Sequence, residues 1–184
     1  MTRPEFISGA MVHSHIMALQ RRLTAAGYER RFQELSKEDQ EHLRLVTALS
    51  WVRIDALERL YTLLAVDARL TVAQLHTEIA SEVVGRTVTS IWKAILRVAN
   101  DDMLMSRAPA IFKRAYQQGA VTINRSSPGM AELKVAAWPD ISEFALRGMR
   151  VGIESTLRAA GRKNPRGAAT RTRDGALIRF DWDL

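Results

Sequence analysis

Residues 120–138 read AVTINRSSPGMAELKVAAW, and the spacing of apolar side chains changes here from helical to strand-like. Apolar and polar residues alternate on both sides of the turn Ser126–Gly129, for example at Val121 before the turn and at Leu133 after it. A period of two places every second side chain on one face of a strand. Two such runs joined by serine, proline and glycine predict an antiparallel β-hairpin.

The residues after this hairpin predict a helix and then a second hairpin. Apolar residues at helical spacing extend from Ile141 to Ala160. Residues 162–169 are the best loop candidate in the sequence. Two further alternating runs, Ala168–Arg173 and Ala176–Asp183, flank Asp174-Gly175, a dipeptide typical of tight hairpin turns.

The first half of the chain predicts helices, with Ser36 placed to cap one of them and Asp55 and Thr71 opening two others. One helix cannot cover both faces of a four-stranded sheet. We therefore predict an α+β fold, in which N-terminal helices are packed on an antiparallel sheet formed by a C-terminal hairpin–helix–hairpin. We predict that residues 12–184 form this single domain. Residues 1–11 are predicted to be disordered or vector-derived, because they contain what could be a protease-site scar followed by an initiator methionine.

The composition of the 184 residues excludes several classes of protein. Apolar residues make up 47% and charged residues 26%, which is typical of a globular chain and not of a disordered one. The absence of cysteine excludes a disulfide framework, a cysteine nucleophile and a thiolate-bound metal. It also suits a cytoplasmic protein. No apolar run is long enough to predict a membrane span.

Catalytic and metal-binding motifs are missing from the sequence. It contains no nucleophile elbow, no HExxH zinc motif, no P-loop and no dinucleotide fingerprint, so we predict that the protein is not an enzyme. His13 and His15 could share a metal on a strand, but no third ligand accompanies them, and we predict no metal site. His76 is the one histidine that the sequence offers for a test as a haem ligand, and a surface or satisfied histidine explains it equally well.

The positive charge of the chain is concentrated in its second half. Residues 1–92 carry 11 basic and 11 acidic side chains, whereas residues 93–184 carry 16 basic and 9 acidic ones. A soluble surface accounts for such an excess, and so does an anionic partner. The alternative prediction is therefore a DNA-binding regulatory protein, whose phosphate contacts would come from Arg158, Arg162, Lys163, Arg166, Arg171 and Arg173.

Large apolar side chains of the second half predict a core in which an apolar ligand could lie. The candidate walls of this pocket are Trp92, Phe112, Tyr116, Phe144 and Met149. Lys93 or Arg97 would lie at its mouth and bind a polar head group. A plain core without a pocket is the simpler interpretation of the same residues.

From about Asp55 to Trp182 the sequence resembles a family of uncharacterised myxobacterial proteins of about this size. The matching features are the helix Ala110–Tyr116, Gly119, the turn Ser127-Pro128-Gly129, the helix after Trp138-Pro139, the stretch from Gly152 to Gly161 and the strand Ile178–Trp182. That family is similar to 4-vinyl-reductase-type ligand domains, TRAPP trafficking subunits and haem-NO-binding sensors. The resemblance implies helices over an antiparallel sheet with an internal pocket.

Two departures from these families limit what the resemblance implies. The haem sensors carry a Tyr-x-Ser-x-Arg motif, and none of Tyr28, Tyr61 or Tyr116 begins one. The acylated trafficking subunits use a cysteine, which this chain lacks. We accordingly predict no cofactor.

These observations together predict a non-catalytic sensor or regulatory domain in cytosolic signalling. It would bind a small apolar molecule or a protein partner, and a homodimer is left open as an alternative.

Overall fold

The computed structural model describes residues 4–87 and 99–184, and the contacts within the chain group it into two compact units, residues 1–83 and 84–184. The prediction of a single domain over residues 12–184 stays a prediction. None of the described helices is long and apolar enough to cross a membrane.

In its described residues, the first unit contains five helices and a short two-stranded ladder. In chain order its elements are β1 (Phe6–Ser8), α1 (Gly9–Arg22), α2 (Ala25–Gln33), α3 (Lys37–Arg44), β2 (Trp51–Arg53), α4 (Ile54–Ala68) and α5 (Val72–Thr87). Leu57, Leu60 and Leu64 lie on one stripe of α4 and are fully buried. Ser36 caps α3 as predicted, because its Oγ accepts a hydrogen bond of 3.1 Å from the backbone N–H of Asp39.

Residues 6–11 are ordered, which corrects the prediction of disorder there, whereas a vector-derived origin of residues 1–11 stays a prediction. Strand β1 pairs antiparallel with β2, with Ile7 opposite Val52. Ile7 is buried, and α1 begins directly after the strand at Gly9. Three residues are too few to show the alternation that identifies a strand in a sequence, so this element left no signal there.

The second unit consists of a four-stranded sheet and three helices in its described part. In chain order these elements are α6 (Asp101–Ser106), α7 (Ala108–Ala115), β3 (Ala120–Ser127), β4 (Met130–Ala136), α8 (Glu143–Ala159), β5 (Lys163–Thr172) and β6 (Gly175–Asp183). All neighbouring strands are antiparallel, and their order is β3-β4-β6-β5. The α+β class and the C-terminal hairpin–helix–hairpin are confirmed.

The first hairpin has the turn that the sequence predicted. Ser127 pairs with Met130, and Gly129 between them adopts a φ of +77°, which glycine tolerates without steric cost. Leu133 lies in the core as expected. Ile123 is 40% exposed instead, although its partner Leu133 is buried, and the register shifts directly after it, between Ile123 and Arg125.

The second hairpin corrects the predicted loop at residues 162–169. Residues 163–172 form the edge strand β5, and the tight turn is Arg173-Asp174 rather than Asp174-Gly175. Pro165 is tolerated because it lies in an edge strand at a register shift. Gly167 lies inside the strand where a Cβ would be 2.6 Å from Arg150 Cγ and 2.8 Å from the ring of Phe180, so any larger residue would displace these side chains.

Candidate functional site

Helix α7 and the turn before α8 bring three large aromatic side chains of the second unit together. Phe112 and Tyr116 lie four residues apart at the end of α7, and their ring centroids are 5.3 Å apart. Trp138, which follows β4, lies 5.5 Å from Tyr116 and 6.3 Å from Phe112. All three side chains are buried. Such a cluster supplies an apolar surface with one hydroxyl group and one indole N–H.

The other predicted pocket residues have different positions. Phe144 and Met149 are buried on α8, where Ser142 caps the helix by accepting a 3.2 Å hydrogen bond from the N–H of Ala145. Trp92, Lys93 and Arg97 lie outside the described residues. The structure thus brings Phe112 and Tyr116 together and adds Trp138, which the sequence analysis did not include in the pocket. The pocket itself stays a prediction.

Arg162 belongs to the predicted phosphate-binding set, but its side chain is used within the second unit. Its Nε and Nη2 donate to Asp101 Oδ1 at 2.9 and 2.8 Å, and it also donates to the carbonyl oxygens of Ala99 and Ala160. Its side chain is only 14% exposed. Arg162 therefore stabilises the start of α6 against the end of α8 and presents no open guanidinium to a phosphate.

The other basic residues of that set are exposed. They are Arg158 at the end of α8, Lys163, Arg166 and Arg171 on β5, and Arg173 in the following turn. Arg171 lies 4.0 Å from Glu143, a long and exposed ion pair. The nucleic-acid alternative stays a prediction that rests on these exposed side chains.

A buried polar cluster in the first unit joins three residues that no pattern in the sequence connects. His15 on α1, Tyr61 on α4 and His76 on α5 are each 3% exposed or less. His15 Nδ1 and the Tyr61 hydroxyl are joined by a 2.7 Å hydrogen bond, and the ring of His76 lies 5.1 Å from that of Tyr61 and 5.8 Å from that of His15. Buried imidazoles of this kind belong to the core, not to the strand-borne metal pair that His13 and His15 suggested.

Burial changes the acidity of two members of this cluster. It lowers the pKa of His15 from 6.5 to about 4, because the charged imidazolium would lose its hydration. It raises the pKa of Tyr61 well above its usual value of 10, because the phenolate would lose its hydration in the same way. Both side chains are therefore neutral at pH 7. Among residues 4–87 and 99–184, no group of three His, Asp or Glu side chains could hold a metal ion.

A second buried polar residue is Asp39 on α3. Its two carboxylate oxygens accept hydrogen bonds of 2.7 Å each from Arg59 on α4. Hydrogen bonding to Arg59 holds the pKa of Asp39 below its usual range. The pair connects two helices of the first unit and leaves the carboxylate bound to its partner.

Comparison with known proteins identifies the fold. No protein-family model matches the chain, and no curated protein sequence matches it. The fold is similar to that of the unliganded Fe(II) H-NOX protein from K. algicida, with a TM-score of 0.69 and 10% identity over 96% of this chain and 97% of that chain. A mutant of T. tengcongensis H-NOX has a TM-score of 0.67 and 11% identity, over 96% of this chain and 98% of that chain. An oxygen-binding H-NOX domain related to soluble guanylate cyclases has a TM-score of 0.66 and 11% identity, over 96% of this chain and 95% of that chain.

At these identities the likeness concerns the fold alone. It confirms the resemblance to haem-NO-binding domains at the level of architecture. These matches do not support the myxobacterial and 4-vinyl-reductase parts of the resemblance.

Neither buried histidine of the described residues fits a haem. Haem iron is held by a histidine in many proteins, and all four histidines of this chain precede residue 77. His15 and His76 are the two buried ones, and both are packed against Tyr61 with ring centroids 5.1 to 6.0 Å apart. A porphyrin on either imidazole would have to separate rings that are in contact. We therefore derive no chemistry through a haem.

Proposed function

We propose that this chain is a non-catalytic sensor or regulatory domain of cytosolic signalling, which binds a small apolar molecule or a protein partner. The observation that carries the proposal is the likeness of 96% of the chain to domains of which one is named as oxygen-binding. A fold alone does not imply a function, so the ligand must be argued from the side chains.

The apolar character of the ligand follows from the aromatic cluster of the second unit. Phe112, Tyr116 and Trp138 are buried and consist mostly of carbon, so a ligand lodged among them would be held by apolar contact. A few polar groups among apolar walls, here a hydroxyl and an indole N–H, are typical of small-molecule sites. Phe144 and Met149 of α8, together with Trp92, are the other proposed walls, and Lys93 or Arg97 would lie at the mouth.

A non-catalytic role agrees with the state of the buried polar groups in the first unit. Asp39 is bound to Arg59, and His15 is bound to Tyr61. A general base near pH 7 would need a pKa close to that value, whereas the pKa of His15 is about 4.

Native mass spectrometry of the purified protein, compared with its denatured mass, tests the ligand. A small apolar ligand would add mass only under native conditions. In the variant Ala145→Phe, a new phenyl ring on the buried face of α8 should remove that mass while the circular dichroism spectrum is unchanged. If no pocket exists, the ring instead overpacks the core and lowers the free energy of unfolding by about 1–3 kcal/mol.

Gly152→Ala is the matched control, because it enlarges a side chain of the same helix at a position with no atom within 4 Å of the added Cβ. It should keep the ligand and should not destabilise the protein. A native mass equal to the denatured mass, together with a destabilised Ala145→Phe variant, would refute ligand binding and leave the protein partner as the proposed function.

A further inference from the structure

Strand β5 forms one edge of the sheet in the second unit. Its inner side pairs with β6 from Lys163 to Thr172. In the described part of the chain, no strand pairs with its outer side. An edge strand of this length offers backbone groups for pairing with another extended chain.

A hydrogen bond from α8 shows which amides of β5 point outward. The backbone N–H of Gly167 donates to Glu154 Oε1 at 2.7 Å, so this N–H is directed away from β6. Backbone groups alternate along a strand, and residues two and four positions further therefore point the same way. These residues are Ala169 and Arg171. We call their outer backbone side the open edge.

Pairing with another strand is blocked at the residues that precede the open edge, Lys163 to Gly167, but not at the open edge itself. Pro165 has no N–H, and the register shift between Lys163 and Arg166 interrupts the ladder. Glu154 occupies the amide of Gly167. In contrast, Ala168, Ala169, Thr170 and Arg171 are exposed.

The charge around the open edge indicates the kind of chain that can pair with it. Lys163, Arg166, Arg171 and Arg173 are exposed, and within residues 163–173 there is no acidic side chain. Glu143, at 4.0 Å from Arg171, is a weak competitor. A second copy of β5 would bring like charges together, which disfavours self-pairing. An acidic strand would be attracted.

We propose that the open edge at Ala169 and Arg171 binds an extended acidic segment of a partner protein as a fifth strand of the sheet. Backbone hydrogen bonds would supply the affinity, and the basic side chains would select an acidic sequence. This proposal specifies the protein partner of the proposed function. Only its biological role, and not the binding itself, rests on that proposed function.

The test uses the whole chain and a short fluorescein-labelled peptide of alternating glutamate and threonine. Fluorescence anisotropy should show binding that weakens with salt. Amide hydrogen exchange by NMR should slow at Ala169 and Arg171 when the peptide is added. Ala169→Pro removes one outward N–H without touching the β6 ladder, and it should weaken binding by about tenfold. Arg171→Glu should weaken it by at least as much.

Two controls separate strand addition from charge attraction. Arg125→Glu makes the same charge reversal on β3, the opposite edge of the sheet, and should leave binding unchanged. The same peptide with N-methylated backbone amides keeps its charge but cannot pair, and it should not bind. This second arm decides the question even if Ala169→Pro fails to fold.

Several results would overturn the proposal. The acidic peptide could fail to bind at millimolar concentration, or its N-methylated form could bind equally well. A labelled DNA duplex could bind instead, with a loss on Arg171→Glu and none on Ala169→Pro, which would favour the nucleic-acid alternative. The native mass of Ala169→Pro, measured in parallel, distinguishes this proposal from that of a small apolar ligand. If the variant loses peptide binding but keeps the added ligand mass, the defect concerns the open edge alone.

Discussion

Replacement of His15 by asparagine should remove much of the pH dependence of stability between pH 7 and pH 5. The imidazole is neutral in the folded protein because burial lowers its pKa from 6.5 to about 4. In that interval His15 binds a proton in the unfolded chain but not in the folded one. The contribution of His15 to stability is therefore complete above pH 6.5 and is lost as the pH falls towards 4. For a shift of this size, the free energy of unfolding should fall by about 2 kcal/mol between pH 7 and pH 5.

Urea denaturation of the wild type and of His15→Asn at both pH values measures this difference. Asparagine places a polar atom near the position of Nδ1 and can keep the hydrogen bond to Tyr61, but it does not titrate. His13→Asn is the matched control, because it makes the same replacement at an exposed position of the same helix. Equal losses of stability in wild type and His15→Asn on acidification would refute the assignment of a buried, neutral imidazole.

Three further predictions concern the second unit, and urea denaturation checks each. Gly152→Ala should raise the free energy of unfolding by about 0.5–1 kcal/mol, because alanine is the better helix former and no atom lies within 4 Å of its Cβ; a loss would contradict that open space. Gly167→Ala should lower it by about 1–3 kcal/mol, because its Cβ would lie 2.8 Å from Phe180; a neutral result would mean that the ring moves aside freely. Arg162→Lys should also lower it by about 1–3 kcal/mol, because an ammonium cannot reproduce the forked contacts with Asp101 and two backbone carbonyls; full stability in the lysine variant would show that charge alone suffices.

The turns of the sheet show how far local sequence signals carry. Pro128-Gly129 was predicted and found, because a tight turn with a positive φ requires such residues at fixed positions. Asp174-Gly175 also predicted a tight turn, but the turn in the structure is one residue earlier, at Arg173-Asp174. Gly175 begins β6, where a Cβ would collide with the carbonyl oxygen of Val135. A glycine that allows close backbone approach looks the same in a sequence as a glycine that allows a turn.

The candidate sites show the same limit at longer range. Phe112 and Tyr116 are four residues apart, a spacing that places two side chains of a helix together, and their proximity could be predicted. His15 and Tyr61 are 46 residues apart, and no local pattern connects them. Likewise, nothing near Arg162 in the sequence predicts that Asp101 binds it, because that contact depends on how α6 and α8 are placed by the rest of the unit.

The position of β6 also constrains the order in which the sheet can assemble. β6 lies between β4 and β5, although it is the last of the four strands to leave the ribosome. Until it arrives, the first hairpin and β5 have no common neighbour, and both would expose strand edges during synthesis. Because the pairing of β4 with β6 joins residues far apart in the chain, the sheet should be completed slowly and late, and chaperone binding should concentrate on the partly synthesised second unit.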